Sequence, residues 1–343
     1  MPHNDGEPYG TRPPRVLTGD RPTGPLHLGH FVGTLQNRLR LQDTNDTFIL
    51  VADDHMLTTR LDRLGEIEVN IREDVLGNLA VGVDPAKATI YLQSRVPETT
   101  ELFLYLAMLV SVSRAQRIPT LKDKLREMRI AQPSYGLLGY PILQAADILL
   151  VRGELVPVGP DQLSHVELAR EIARGFNERF APVFPVPAGL APKGGTLPGT
   201  DGSLKMSRSI GNTINLFDDA EIVREKVMSM YTDPTRLRAT DPGHVEGNPV
   251  FAYHEEFNPD LDEVADLKDR YVAGRVGDVE VKQRLVAALN AFLDPIRQRR
   301  RELLAENPSI VEDVLRSGAA RARREAAATI RQLRMAMKID YFE

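Results

Sequence analysis

Hydrophobic and polar positions along the chain follow two periods, and the order in which they alternate predicts the architecture. Val16-Leu17-Thr18, closed by Gly19, is a short apolar run that reads as a first strand. After a turn over Gly19–Gly24, Leu28, Phe31, Val32, Leu35 and Leu39 recur at helical spacing within Leu26–Leu41. Thr47–Val51 is continuously apolar, as expected of a strand buried on both faces. A helix is predicted over Ile67–Val81, a strand over Ala88–Gln93 and a helix over Glu98–Val112. Strands and helices in this alternation predict a parallel α/β sheet with right-handed crossovers. The charged segment Lys122–Arg129 reads as an exposed helix or a mobile loop. A strongly apolar helix is predicted over Gly136–Val151, a short strand over Leu155–Val158 and an amphipathic helix over Asp161–Phe180. Pro182–Pro192 is expected to hold the last strand, and Gly194–Asn212 to be a Gly/Ser/Thr loop. From Asp218 onward the pattern is helical with no further strand, so a domain boundary is expected at about 215.

Length and composition narrow the class. The 343 residues suggest about two domains. Hydrophobic residues at 42% and charged residues at 27% are enough to bury a core, and disorder is excluded as the main state. The net charge of −5 argues against a surface that coats nucleic acid, and no DNA partner is expected. Between Arg297 and Lys338, however, 11 Lys and Arg stand against 5 Asp and Glu, clustered at Arg297, Arg299, Arg300 and Arg301 and at Arg321, Arg323 and Arg324. Such clusters bind phosphate or are simply solvated helix faces. The absence of cysteine excludes disulfides, thiolate metal sites and a cysteine nucleophile. No apolar run reaches the length of a membrane span, and residues 1–14, rich in Pro, Gly and charge, read as a disordered lead-in without the apolar centre of a signal peptide. A cytoplasmic protein with no membrane partner is expected.

Three groups of residues could carry chemistry. Pro22–His30 follows the first strand and opens a helix, where free N–H groups and a partial positive charge suit phosphate. Gly29 allows a ring or ribose to approach the backbone, and His27 and His30 share one face of the first turn. The spacing is neither a Walker loop nor a dinucleotide fingerprint, and a glycine-rich turn with incidental histidines is the structural alternative. Lys205-Met206-Ser207-Arg208-Ser209 places two cations three apart in a glycine- and serine-rich loop that could close on a polyphosphate, or could be a solvated basic loop. Tyr140, Gln144 and Asp147 lie on one face of a predicted helix. A carboxylate among Ala145, Ala146, Ile148 and Leu149 needs a partner, either inside the core or on a bound ligand.

His27-Leu28-Gly29-His30 is similar to the first signature of class I aminoacyl-tRNA synthetases, and Lys205–Ser209 resembles their second, with Arg208 where a second Lys is usual. Arginine keeps the charge but presents a planar fork. Within that class the chain resembles the bacterial tryptophanyl-tRNA synthetase family from Arg15 to Ile339. The resemblance is most specific at Thr18–Gly24, Ala145–Leu150, Val156–Gln162, Met228–Pro234, Asp241–Gly243 and Gly247–Pro249.

That resemblance implies an α/β fold: a Rossmann-like activation domain over 15–217, with a helical insertion at about 98–135, followed by an all-helical tRNA anticodon-binding domain over 218–343. It implies ATP with Mg²⁺ held mainly by the phosphates, no metal ligands on the protein, L-tryptophan and tRNA(Trp) as substrates, and a homodimer. The ATP-binding residues implied are Arg21, Thr23, Gly24, His27, Gly29, His30, Gly159, Asp161, Lys205, Met206, Ser207, Arg208 and Ser209. Lys122 and Lys124 match a segment that reaches the triphosphate, and join His27, His30, Lys205 and Arg208 as the catalytic set. Leu17, His55, Tyr140, Gln144, Asp147, Val156, Val158 and Gln162 are implied to hold the amino acid. Tyrosyl-tRNA synthetases share the Tyr–Gln–Asp spacing, so tyrosine is the second candidate. A non-catalytic duplicate with a regulatory or partner-binding role is the third.

Overall fold

The computed structural model describes residues 12–191, 195–208, 210–236, 238 and 240–341. Most of the expected lead-in, residues 1–11, lies outside the described residues. By internal contacts the chain forms two compact units, Met1–Thr23 with Asn37–Lys193 and Ser309–Glu343, and Gly24–Gln36 with Gly194–Pro308. This division differs from a cut at 217: it counts the last helix with the sheet, and Gly24–Gln36 and residues 194–217 with the helices.

The first unit is built on five parallel strands: β1 (Arg15–Asp20), β2 (Asp46–Val51), β3 (Ala88–Leu92), β4 (Leu155–Pro157) and β5 (Ala188–Leu190). Their order is β3-β2-β1-β4-β5, the doubly wound order expected of alternating strands and helices. Arg15 pairs with Asp46 and Thr47 with Ala88 in register. Val16, Phe48, Val51 and Ile90 are buried, each contributing about 1.5–3 kcal/mol to the core. The Pro-rich segment 182–192 yields only three strand residues, since proline cannot donate to a ladder.

Two predicted helices are interrupted. The first runs as Leu28–His30, a π-helical stretch Phe31–Leu35 and Gln36–Leu41. The extra residue of a π turn is invisible to a 3.6-residue pattern, and such turns concentrate at functional sites. The helix predicted over Glu98–Val112 ends at Ala107 and resumes as Val112–Ala115, where the Ser111 hydroxyl accepts the Arg114 N–H. The charged segment near Lys122 is a helix, Pro119–Glu127, anchored by buried Leu121. Helix Tyr135–Leu150 is capped by the Ser134 hydroxyl, which accepts the Leu137 N–H.

Helix Ile310–Met337 packs along β3 and helix Glu98–Ala107 within the first unit. Arg321 donates to Thr89 Oγ1 at 2.7 Å and to Asp46 Oδ1 at 2.6 Å, Arg323 pairs with Glu98, and Arg334 with Glu101. Much of the basic run is therefore spent inside the fold. The second unit holds the helices Ala220–Met228, Pro249–Phe257, Leu261–Val272 and Asp278–Glu306. Buried Arg297 pairs there with Asp294 at 2.6 Å, and Arg300 covers the Phe217 ring. Arg299, Arg301 and Arg324 remain exposed. No helix among the described residues is long and apolar enough to cross a membrane.

Candidate active site

In the second unit the two motifs, 175 residues apart at His30 and Lys205, meet. Leu28 donates its N–H to the Ile214 carbonyl, and Leu216 donates to Leu26, so the strand-like stretch after the loop runs beside the turn. The Gly29 N–H points at Met206 Sδ, 3.3 Å away, and Arg208 Nη1 donates to the Pro25 carbonyl at 3.2 Å. A Cβ at Gly29 would stand 3.0 Å from the His27 ring and 3.4 Å from Met206 Cβ, and a Cβ at Gly24, whose φ is +141°, would stand 3.1 Å from the Arg208 guanidinium. The positive φ favours glycine at Gly24, and a side chain at Gly29 would crowd the His27 ring and Met206. The loop is tied by Asn212: its Oδ1 accepts the Ser207 N–H at 2.6 Å, and its Nδ2 donates to Asp201 at 2.9 Å and Ser203 Oγ at 2.7 Å. Lys205 is exposed; Ser209 lies outside the described residues.

His27 and His30 lie with ring centroids 3.8 Å apart, and His30 Nδ1 accepts the His27 N–H. Burial, His30 and Arg208 push the His27 imidazolium down to about 2. His27 is thus neutral at physiological pH, and can offer phosphate one N–H but no positive charge.

In the first unit Asp147 is 3% exposed and Gln93 wholly buried. Gln93 Nε2 donates to both carboxylate oxygens, at 2.8 and 3.0 Å, and its Oε1 accepts the His55 backbone N–H at 3.2 Å. His55 Nε2 lies 2.8 Å from Asp147 Oδ2. The core partners of this acid are His55 and Gln93. Burial raises the Asp147 carboxyl, while His55 and Gln93 act to lower it. Burial, Asp53 and Asp147 push Asp54 up to about 6.

Tyr140, on the same helix face, bonds through its hydroxyl to Thr120 at 3.0 Å and His165 at 3.4 Å, and Thr120 also bonds to His165. Lys124 Nζ sits 4.3 Å over the Tyr140 ring, and burial and Arg21 lower its ammonium to about 8. Leu17 and Val156 belong to the core that includes Tyr140, with Val158 packed against it. Gln144 and Val158 are half-buried. Gln162 donates to Asp161, which also sits 2.8 Å from where a Cβ on Gly159 would be. Arg21 and Lys122 are exposed, and Thr23 is half-buried with its N–H on the Arg21 carbonyl. Gln93 and Asn212 were not singled out from the sequence. A lone amide at a strand end or in a polar loop has no spacing signature.

The parallel sheet in this order, and the meeting of a His-x-Gly-His turn with a Lys-Met-Ser loop, mark the class I aminoacyl-tRNA synthetases. The family model for tRNA synthetases class I (W and Y) matches residues 9–294, and the chain belongs to that family. It is 56% identical to a tryptophan–tRNA ligase of Treponema pallidum over 95% of this chain and 97% of the relative. It is 49% identical to a tryptophan–tRNA ligase of Borreliella burgdorferi over 90% and 89% of the two chains. A tryptophanyl-tRNA synthetase from Campylobacter jejuni, solved with ADP and tryptophan, superposes with a TM-score of 0.83 at 33% identity, covering 94% of this chain and 99% of that one.

Proposed function

We propose that the chain is a tryptophan–tRNA ligase. It would couple L-tryptophan to ATP, giving tryptophanyl-adenylate and pyrophosphate, and then transfer the aminoacyl group to the 3′ end of tRNA(Trp). The observation that carries the catalytic half is the contact between the Gly29 amide and Met206, which joins turn and loop. The amino acid is argued from the relatives and from Asp147, a buried acid suited to a single N–H donor.

The tryptophan carboxylate attacks the α-phosphorus in line, the bond to the bridging oxygen breaks, and pyrophosphate leaves with the electron pair. The nucleophile is already an anion, so no protein base is needed. Catalysis is positioning and electrostatic stabilisation. Lys205 and Arg208 neutralise the leaving pyrophosphate, His27 and His30 donate hydrogen bonds to phosphate oxygens, and Lys122 and Lys124 add cations for the triphosphate. Mg²⁺ would be held mainly by the phosphates of ATP and would neutralise part of their charge. In the second step a ribose hydroxyl of the terminal adenosine attacks the adenylate carbonyl, its proton passes to a phosphate oxygen, the carbonyl–phosphate bond breaks and AMP leaves with the electron pair. Tyr140, Gln144 and Gln162 hold the amino acid. The helical stretch from 218 onward meets tRNA, with Arg299, Arg301 and Arg324 free to reach its phosphates. A homodimer working in the cytoplasm completes the reading.

Amino-acid-dependent ATP–pyrophosphate exchange tests it. Tryptophan should drive exchange and tyrosine should not. Exchange with tyrosine alone would replace the substrate, and exchange with neither would favour a non-catalytic duplicate.

A further inference from the structure

We propose that Gln93 is a specificity-positioning residue, holding the Asp147 carboxylate so that one acceptor position is left for the indole N–H. The proposal rests on the tryptophan reading above. An ionised carboxylate offers about four acceptor positions. Three are engaged within the first unit, two by the Gln93 amide and one by His55 Nε2. Donation from one amide nitrogen to both oxygens suits the ionised acid, because a protonated oxygen would turn its O–H toward an N–H. With the acid ionised, His55 is the donor in its contact.

Gln93 is itself fixed. It follows β3 directly, it is wholly buried, and its own oxygen is engaged by the His55 N–H at the start of helix Asp53–Leu57. The amide therefore ties a strand end and a helix start to an acid on helix Tyr135–Leu150, and the carboxylate plane cannot turn without breaking two hydrogen bonds. A substrate bringing one N–H completes the set, whereas a side chain with none leaves a buried acceptor unpaired, which is where selectivity arises. Gln93 need not touch the substrate to do this.

The test is exchange with Gln93→Met, using tryptophan and its sulfur isostere, in which the ring N–H is replaced by sulfur. Gln93→Leu removes the donor with a second apolar side chain, and it supplies the same comparison if Gln93→Met does not fold. The expected result is a fall in kcat/KM for tryptophan of roughly 10- to 100-fold, with the value for the isostere unchanged, so that discrimination collapses. Equal losses for both substrates would make Gln93 merely structural and overturn the proposal, as would no loss with either. Failure of the tryptophan reading is distinct, since the unmodified protein would then show no tryptophan-dependent exchange.

Discussion

At the scale of single residues, the turn and loop divide their work by charge. Burial between His30 and Arg208 keeps His27 uncharged, so the positive charge available to a leaving pyrophosphate comes from Lys205 and Arg208. Exposed Lys205 has no structural duty to lose. Lys205→Ala should therefore lower kcat for exchange by about 10²- to 10³-fold, the scale of a lost transition-state donor, while leaving KM for tryptophan unchanged. A parallel rise in that KM would mean the lysine serves binding instead. Arg208 has a second tie, to the Pro25 carbonyl beside Gly24. Arg208→Lys keeps the charge but not the fork, so it should retain most of kcat and raise KM for ATP, whereas Arg208→Ala should lose both, as steady-state kinetics at varied ATP would separate.

At the scale of elements, a pattern read along the chain recovers what local burial creates and misses what distant segments create. The continuous apolar run Thr47–Val51 announced a strand buried on both faces, and the alternation of runs announced a parallel sheet. The seating of the last helix was not legible, because amphipathic spacing says that a face is buried without saying against what. Its one local clue is Gly318 among alanines: a Cβ there would come within 1.8 Å of the Ile90 carbonyl, so the helix backbone lies directly on β3. Likewise the tie between Gln93 and Asp147 joins residues 54 apart, with no periodic signal in either. The two signature motifs were legible for the opposite reason, since each is a short run whose residue types serve one ligand. Gly318→Ala should destabilise the first unit by about 1–3 kcal/mol or more, because strand and helix must move apart. Thermal unfolding followed by circular dichroism would show the lowered Tm, and an unchanged Tm would contradict the close seating.

For the whole molecule, the acid side of stability follows from which buried groups refuse a proton. His165, 1% exposed against Tyr140, is lowered to about 4, chiefly by burial with Lys124 and His55 adding to it; His27 in the other unit is lowered further still. In the unfolded chain both titrate near 6.5. Below that pH the unfolded state binds more protons than the folded one, so stability is present above 6.5 and is lost as pH falls, through about 4 for His165. Each histidine adds a slope of up to about 1.4 kcal/mol per pH unit. Asp54 acts with the opposite sign: raised to about 6 from 3.8, it binds its proton earlier when folded, so between those values acidification favours the native state. Unfolding measured from pH 7 to 4.5 should show a shallower acid loss in His165→Gln and a steeper one in Asp54→Asn. Asp54→Asn should also be more stable than the wild type at neutral pH, where the wild-type carboxylate is charged beside Asp53 and Asp147. Identical slopes in both variants would mean that these groups do not feel the burial on which the pocket around Asp147 depends.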